Sequence, residues 1–121
     1  MEEFIYDDKW CGGIKNNKKI KACVPGGSSV PILPHFLISK TAKGEQRLMT
    51  YESLSDGGFA TGSMMGSGGF IVLDEDQCIV RHTLTLARFY RHESCGQCSP
   101  CREGTGWMEK ILNKIEYGKG D

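Results

Sequence analysis

Three cysteines fall within seven residues of one another: Cys95-Gly96-Gln97-Cys98-Ser99-Pro100-Cys101. Thiols at C-x2-C-x2-C spacing can converge on one metal centre, and this spacing is the local pattern of a four-iron cluster. Two residues between thiols are about what a chain needs to turn and present the next sulfur to the same centre. Gly96 tolerates the backbone angles of such a turn. Ser99 is suited to cap a following helix, with Pro100 as its first residue. Cys101 then lies in the first helical turn, where the helix dipole favours a thiolate. Arg102 adds a cation that stabilises an anionic centre and raises its reduction potential. Residues 102–121 contain no cysteine. The fourth ligand is therefore expected to be missing from this chain, and the chain to be a piece of a larger protein. On its own it is expected to hold a cluster poorly, through three cysteines and an exogenous fourth ligand.

Other chemistries use the same residues. His92 precedes Cys95 by three positions, so His92 with Cys95, Cys98 and Cys101 also spells a Cys3His zinc site in a non-enzymatic interaction module. Zinc ribbons usually take ligand pairs from two separate knuckles, and this site is compressed into one. Cys95-Gly-Gln-Cys98 alone reads as a thiol–disulfide motif, but such motifs open a helix after a strand, and here a helix precedes. Cys11, Cys23 and Cys78 are expected to be small buried hydrophobes.

With 121 residues, 15 basic and 15 acidic, the chain has room for one domain or little more. It offers no electrostatic footprint for nucleic acid. No apolar run is long enough to span a bilayer, so no direct membrane insertion is expected. The acidic start, Met1-Glu2-Glu3-Phe4-Ile5, lacks the flanks of a signal peptide. A reducing compartment and free thiols are expected.

Phe4, Ile5 and Trp10 suggest a short helix ending at Gly12-Gly13. Ile20, Ala22 and Val24 alternate as a half-buried strand, with Cys23 turned away from the apolar face, and Pro25-Gly26-Gly27 stops it. Pro31 to Ile38 reads as extended and at an edge. Arg47 to Tyr51 reads as a strand and Glu52 to Ser55 as the start of a short helix. Gly57 to Gly69 holds six glycines and reads as tight turns packed near the cysteine helices. It lacks the order of elements that a phosphate-binding loop requires. Phe70 to Leu73 reads as a buried strand. Asp74 or Asp76 would then cap a helix running to about His92, with Ile79, Val80, Leu84, Ala87 and Phe89 broadly apolar. Met108, Ile111, Leu112 and Ile115 mark an amphipathic helix stopped by Gly118. His35 and His82 are expected at the surface or at caps. No Ser/His/Asp set or carboxylate pair stands out, so no catalytic residue is assigned.

The run Glu93-Ser94-Cys95-Gly96-Gln97-Cys98-Ser99-Pro100-Cys101-Arg102-Glu103-Gly104-Thr105-Gly106-Trp107 resembles the flavoprotein subunit of respiratory NADH:quinone oxidoreductase, complex I. So do Lys21 to Pro31 and Gly66 to Glu75. The resemblance implies an α+β fold: a partial β-grasp domain of the soluble-ligand-binding type over 1–73, lacking its first hairpin and so leaving an exposed sheet edge. The opening helices of a helical [4Fe-4S] domain follow over 74–121. It implies Cys95, Cys98 and Cys101 as cluster ligands. FMN and NAD would be bound by an absent N-terminal domain, with no FMN or NADH residue in this chain. The implied function is electron transfer from FMN through the cluster in an NADH dehydrogenase, with the isolated chain inactive. The implied partners are other hydrophilic-arm subunits, including a ferredoxin-like iron–sulfur protein. The implied location is cytoplasmic, peripheral on the inner face of the membrane. The equivalent subunit of an NAD-linked hydrogenase or formate dehydrogenase shares the motif.

Overall fold

The computed structural model describes residues 1–39, 45–55 and 63–120. They fall into two compact units, Met1–Asp76 and Gln77–Asp121.

The first unit is built on β1 (Ile20–Val24), the middle strand of a three-stranded antiparallel sheet ordered β2-β1-β3. β2 is the two-residue edge Leu33–Pro34, and β3 is Ile71–Asp74. Cys23 pairs with Leu33 on one side and Val72 on the other. A register shift between Ile20 and Ala22 interrupts the ladder with β3. There the Ile20 N–H donates instead to the Tyr6 hydroxyl at 2.8 Å.

The alternation expected for β1 gives way beyond Lys21. Ala22, Cys23 and Val24 are all buried, because a central strand with neighbours on both sides can be covered on both faces. Cys23 is therefore a core residue, while Cys11 and Cys78 are exposed, against expectation. Ile5, Ile20, Leu33, Ile38 and Leu54 surround Cys23 in one cluster. Each side chain of this size stabilises the fold by about 1.5–3 kcal/mol when fully buried.

Several element boundaries differ from the sequence expectation. The first helix, α1 (Glu2–Tyr6), stops well before Gly12-Gly13. Trp10 lies beyond it, exposed, with its ring centroid 5.9 Å from that of Phe4. Pro34 ends the extended stretch, and α2 (His35–Ser39) follows directly. A proline suits the residue before a helix, because its missing N–H is not needed there. β3 is an edge strand with Leu73 alone fully buried, not a buried strand throughout.

No strand forms over Arg47–Thr50; α3 is Tyr51–Ser55. Arg47 is buried instead. Its guanidinium donates to the carbonyls of Leu37 in α2 and Ser53 in α3, and its own carbonyl accepts from the Met1 ammonium. Five-residue helices leave most of their carbonyls without helical partners, and a buried guanidinium needs acceptors. Burial is the main cause that lowers the Met1 ammonium below its usual pKa.

Two glycine segments meet as bare backbone. The Gly27 N–H donates to the Gly69 carbonyl at 2.6 Å. A Cβ on Gly26 would stand 2.3 Å from the Met64 carbonyl oxygen, and one on Gly66 would stand 2.6 Å from that of Gly26. The described part of the glycine-rich stretch thus packs on the turn after β1; its first part, 57–62, lies outside the described residues.

The second unit is a helical pair, α4 (Ile79–Glu93) and α5 (Ser99–Glu116). Cys78, not Asp74 or Asp76, is the N-cap of α4; the Asp74 carboxylate accepts the Asp76 N–H at 2.9 Å and closes the turn after β3. Leu84 and Ala87 are buried in α4, whereas Phe89 is exposed. At the end of α5 the Lys119 N–H donates to the Lys114 carbonyl and the Gly118 N–H to that of Ile115. With Gly118 at φ +66°, this is the Schellman arrangement.

The apolar stripe of α5 does not face α4. Met108, Ile111 and Ile115 are each at least half exposed, Leu112 is half-buried, and no residue of α5 is fully buried. Polar groups contribute to the helix–helix contact. Arg91 donates to Glu109 at 2.7 Å, Arg88 donates to Asn113 at 3.1 Å, and the Cys78 thiol donates to Glu116 at 3.5 Å. Arg88 and Arg91 of α4 thus pair with Glu109 and Asn113 of α5. The Arg91 bond, with Arg88 nearby, holds the Glu109 carboxyl below its usual pKa.

Candidate metal centre

The cysteine loop joins these two helices. Ser94 ends α4 in an extended conformation, and Cys98 is the N-cap of α5. The cap lies one residue earlier than expected, so Ser99 is already helical and Pro100 occupies the first turn. Cys101 falls in that same turn, beside N–H groups that have no helical acceptor. Gly96 sits at φ +75°, a conformation that disfavours any residue with a Cβ.

Two side chains outside the sulfur set brace the loop. The Arg102 Nη1 donates to the carbonyls of Gly96 at 2.8 Å and Gln97 at 3.2 Å. The Ser94 Oγ accepts the Gly96 N–H at 3.2 Å and lies 3.3 Å from the Cys101 Sγ. The guanidinium thus acts on the loop backbone, a contact that charge alone did not foretell. Ser94 carried no sequence signal except its place beside Cys95.

Cys95, Cys98 and Cys101 are all exposed, free thiols. Among the described residues, no three Cys, His, Asp or Glu side chains are gathered closely enough to hold a metal ion. The donor set nevertheless fits an iron–sulfur cluster in its chemistry: soft sulfur ligands, solvent access, a turn at glycine and a helix N-terminus. His92 is directed elsewhere: its Nδ1 is 3.1 Å from the Glu93 carboxylate, and its side chain is strongly exposed.

His35 is exposed at the start of α2, as expected of a surface or capping residue. His35 has partners: its Nε2 lies 2.9 Å from Glu2 and 3.4 Å from the Ser39 hydroxyl, which itself donates to Glu2 at 2.7 Å. Both contacts use the same ring nitrogen. The set therefore lacks the two-sided relay that a nucleophilic triad needs, and instead ties α1 to α2. The Ser39 and His35 hydrogen bonds, Ser39 first, lower the Glu2 carboxyl pKa. His82 is half-buried, and its Nε2 is buried without a partner among the described residues. No described helix is long and apolar enough to cross a membrane.

Comparison with known proteins bears directly on the cysteine loop. The family described as NADH-ubiquinone oxidoreductase-F iron-sulfur binding region matches residues 81–121, which include all three cysteines. The mitochondrial NADH-ubiquinone oxidoreductase 51 kDa subunit of Neurospora crassa is 42% identical over 121 residues, covering 99% of this chain and 22% of that protein. The F subunit of the NADH-quinone oxidoreductase of Rickettsia bellii is 44% identical over 119 residues, covering 98% of this chain and 26% of its own length. The chain thus spans about a quarter of the curated relatives it matches. Among solved structures, an NAD+-reducing [NiFe]-hydrogenase in its H2-reduced state superposes with a TM-score of 0.62 at 29% identity, over 84% of this chain and 15% of that one.

Proposed function

We propose, from the premise that this chain belongs to the family of the NADH-quinone oxidoreductase F subunits and their mitochondrial 51 kDa counterparts, that it carries electrons through an iron–sulfur centre held by Cys95, Cys98 and Cys101. The observation that carries this reading is the placement of all three cysteines inside the matched iron–sulfur binding region. A bound [4Fe-4S] cluster supplies one-electron redox chemistry. The residues of this chain supply its setting. The three thiols ligate as thiolates, the first turn of α5 lends its N-terminal dipole to Cys101, and Arg102 holds the Gly96 and Gln97 carbonyls.

The remaining parts of the proposal extend the resemblance of the sequence to that family. The first unit is a partial β-grasp domain, and the second is the opening of a helical cluster domain. FMN and NAD bind to parts of the whole protein that this chain does not include, so oxidoreductase activity belongs to the complete complex and the chain alone is inactive. Its partners are other complex I subunits of the hydrophilic arm, a ferredoxin-like iron–sulfur protein among them, on the cytoplasmic inner face of the membrane. Identity of 40–44% to complex I subunits against 29% to the hydrogenase favours the respiratory reading. The pairing of His92 with Glu93 and the matched iron–sulfur region favour iron over zinc.

Anaerobic reconstitution of the chain with iron, sulfide and excess dithiothreitol, which offers an external fourth sulfur, tests the reading. Iron and acid-labile sulfide in equal amounts, lost in Cys98→Ser, are expected. A colourless protein with one zinc and no sulfide overturns it.

A further inference from the structure

Ser94 stands at a junction within the cysteine loop. Its Oγ accepts the Gly96 N–H at 3.2 Å and lies 3.3 Å from the Cys101 Sγ. A hydroxyl offers one proton and two acceptor lone pairs. The Gly96 N–H occupies one lone pair, so the hydroxyl proton remains available for sulfur. A metal-bound thiolate has no proton to give. Once Cys101 is a ligand, the bond therefore runs in one direction only, from Ser94 to Cys101.

The geometry on both sides supports this. Ser94 ends α4 at φ −62° and ψ 128°, which turns the chain into the loop at that residue. Gly96 is held on both sides: its N–H by Ser94, and its carbonyl by Arg102 at 2.8 Å. Ser94 is half-buried, whereas the three cysteines are exposed. Partial burial strengthens the Gly96–Ser94 hydrogen bond relative to one in open water.

We propose that Ser94 is a positioning residue of the sulfur site: one hydroxyl fixes the Gly96 turn and the Cys101 sulfur together, and it raises the reduction potential of a cluster bound there. Hydrogen bonds to ligand sulfurs stabilise the more negative, reduced state of a cluster. The potential half of this inference rests on the iron–sulfur reading above; the turn half does not.

The experiment uses the 121-residue chain as Ser94→Ala and Ser94→Thr. Without metal, 15N relaxation is measured at the Gly96 amide. Ser94→Ala lowers its order, and Ser94→Thr, which keeps the hydroxyl, retains it. After reconstitution with iron and sulfide, the midpoint potential is measured by spectroelectrochemical titration. Ser94→Ala shifts it to more negative values, and Ser94→Thr restores it. An unchanged Gly96 amide in Ser94→Ala overturns the turn half. An unchanged potential, or one that moves equally in both variants, overturns the potential half. A wild-type chain that takes up no iron and sulfide sinks the iron–sulfur reading and the potential half with it, while the amide measurement still decides the rest.

Discussion

In Met1–Asp76, aliphatic side chains from α1, β1, β2, α2 and α3 meet around a fully buried Cys23. In Gln77–Asp121, Glu109, Asn113 and Glu116 of α5 bond to α4 and its N-cap, and Met108, Ile111 and Ile115 are each at least half exposed. One unit gathers a cluster of buried aliphatic side chains; in the other, among the described residues, only Leu84 and Ala87 are buried, and polar pairs join the helices. The contrast separates two things that a periodic sequence merges. Periodicity sets which side chains share a helix face; the neighbour that face receives depends on what the rest of the chain presents. α4 presents arginines.

The sharpest test of the contrast is thiol chemistry. Burial pushes Cys23 up to about 12, so only about one such thiol in ten thousand is ionised at pH 8. Iodoacetamide followed by mass spectrometry is expected to label Cys95, Cys98 and Cys101 at least about a thousandfold faster than Cys23. Comparable rates would mean that the first core opens readily.

Each unit carries one tryptophan, Trp10 or Trp107, so Trp107→Phe and Trp10→Phe backgrounds report the units separately by fluorescence. Leu33→Ala is expected to destabilise the first unit by about 2–5 kcal/mol in urea titrations. A loss under about 1 kcal/mol would show that the site collapses around the deleted atoms.

Acid should act on the second unit through Glu109. Its folded pKa lies below the ordinary 4.5, so the contribution is fully present above that value and is lost as pH falls through the lower folded value. The Trp107 signal is expected to hold from neutrality to about pH 5 and to weaken below it. Added salt should weaken the same pairing at neutral pH, because the arginines are half exposed. Glu109→Gln should abolish both responses; a response that persists would assign them to another group.

The smallest effect is expected at Ile111→Lys. Ile111 is 58% exposed, so the change in the Trp107-monitored transition should stay within about 0.5 kcal/mol. A larger loss would place Ile111 in a packed contact and dissolve the distinction between the units.

The cysteine loop was largely legible in sequence, because local spacing, a glycine and a proline determine a turn and a helix start within a few residues. Gly118 was legible for the same reason. The rest depended on distant partners. Arg47 sits in a stretch that reads as a strand, yet the carbonyls of Leu37 and Ser53 claim its guanidinium. Cys23 alternates outward by period two, but its central position buries it. Ser94 could not be singled out, since only the folded loop brings its hydroxyl to Cys101 seven positions away.

The meeting of Gly26 and Gly66 carries its own consequence. A joint made of naked main chain has no rotamer to adjust and no methyl group to trim, so it cannot drift by small steps. Alanine at Gly26 would have to displace the Met64 and Met65 carbonyls outright, and the strand hydrogen-bonded alongside would move with them. Variation in this unit is therefore channelled into the aliphatic cluster, where volumes can trade, and away from the seam where two peptide backbones touch.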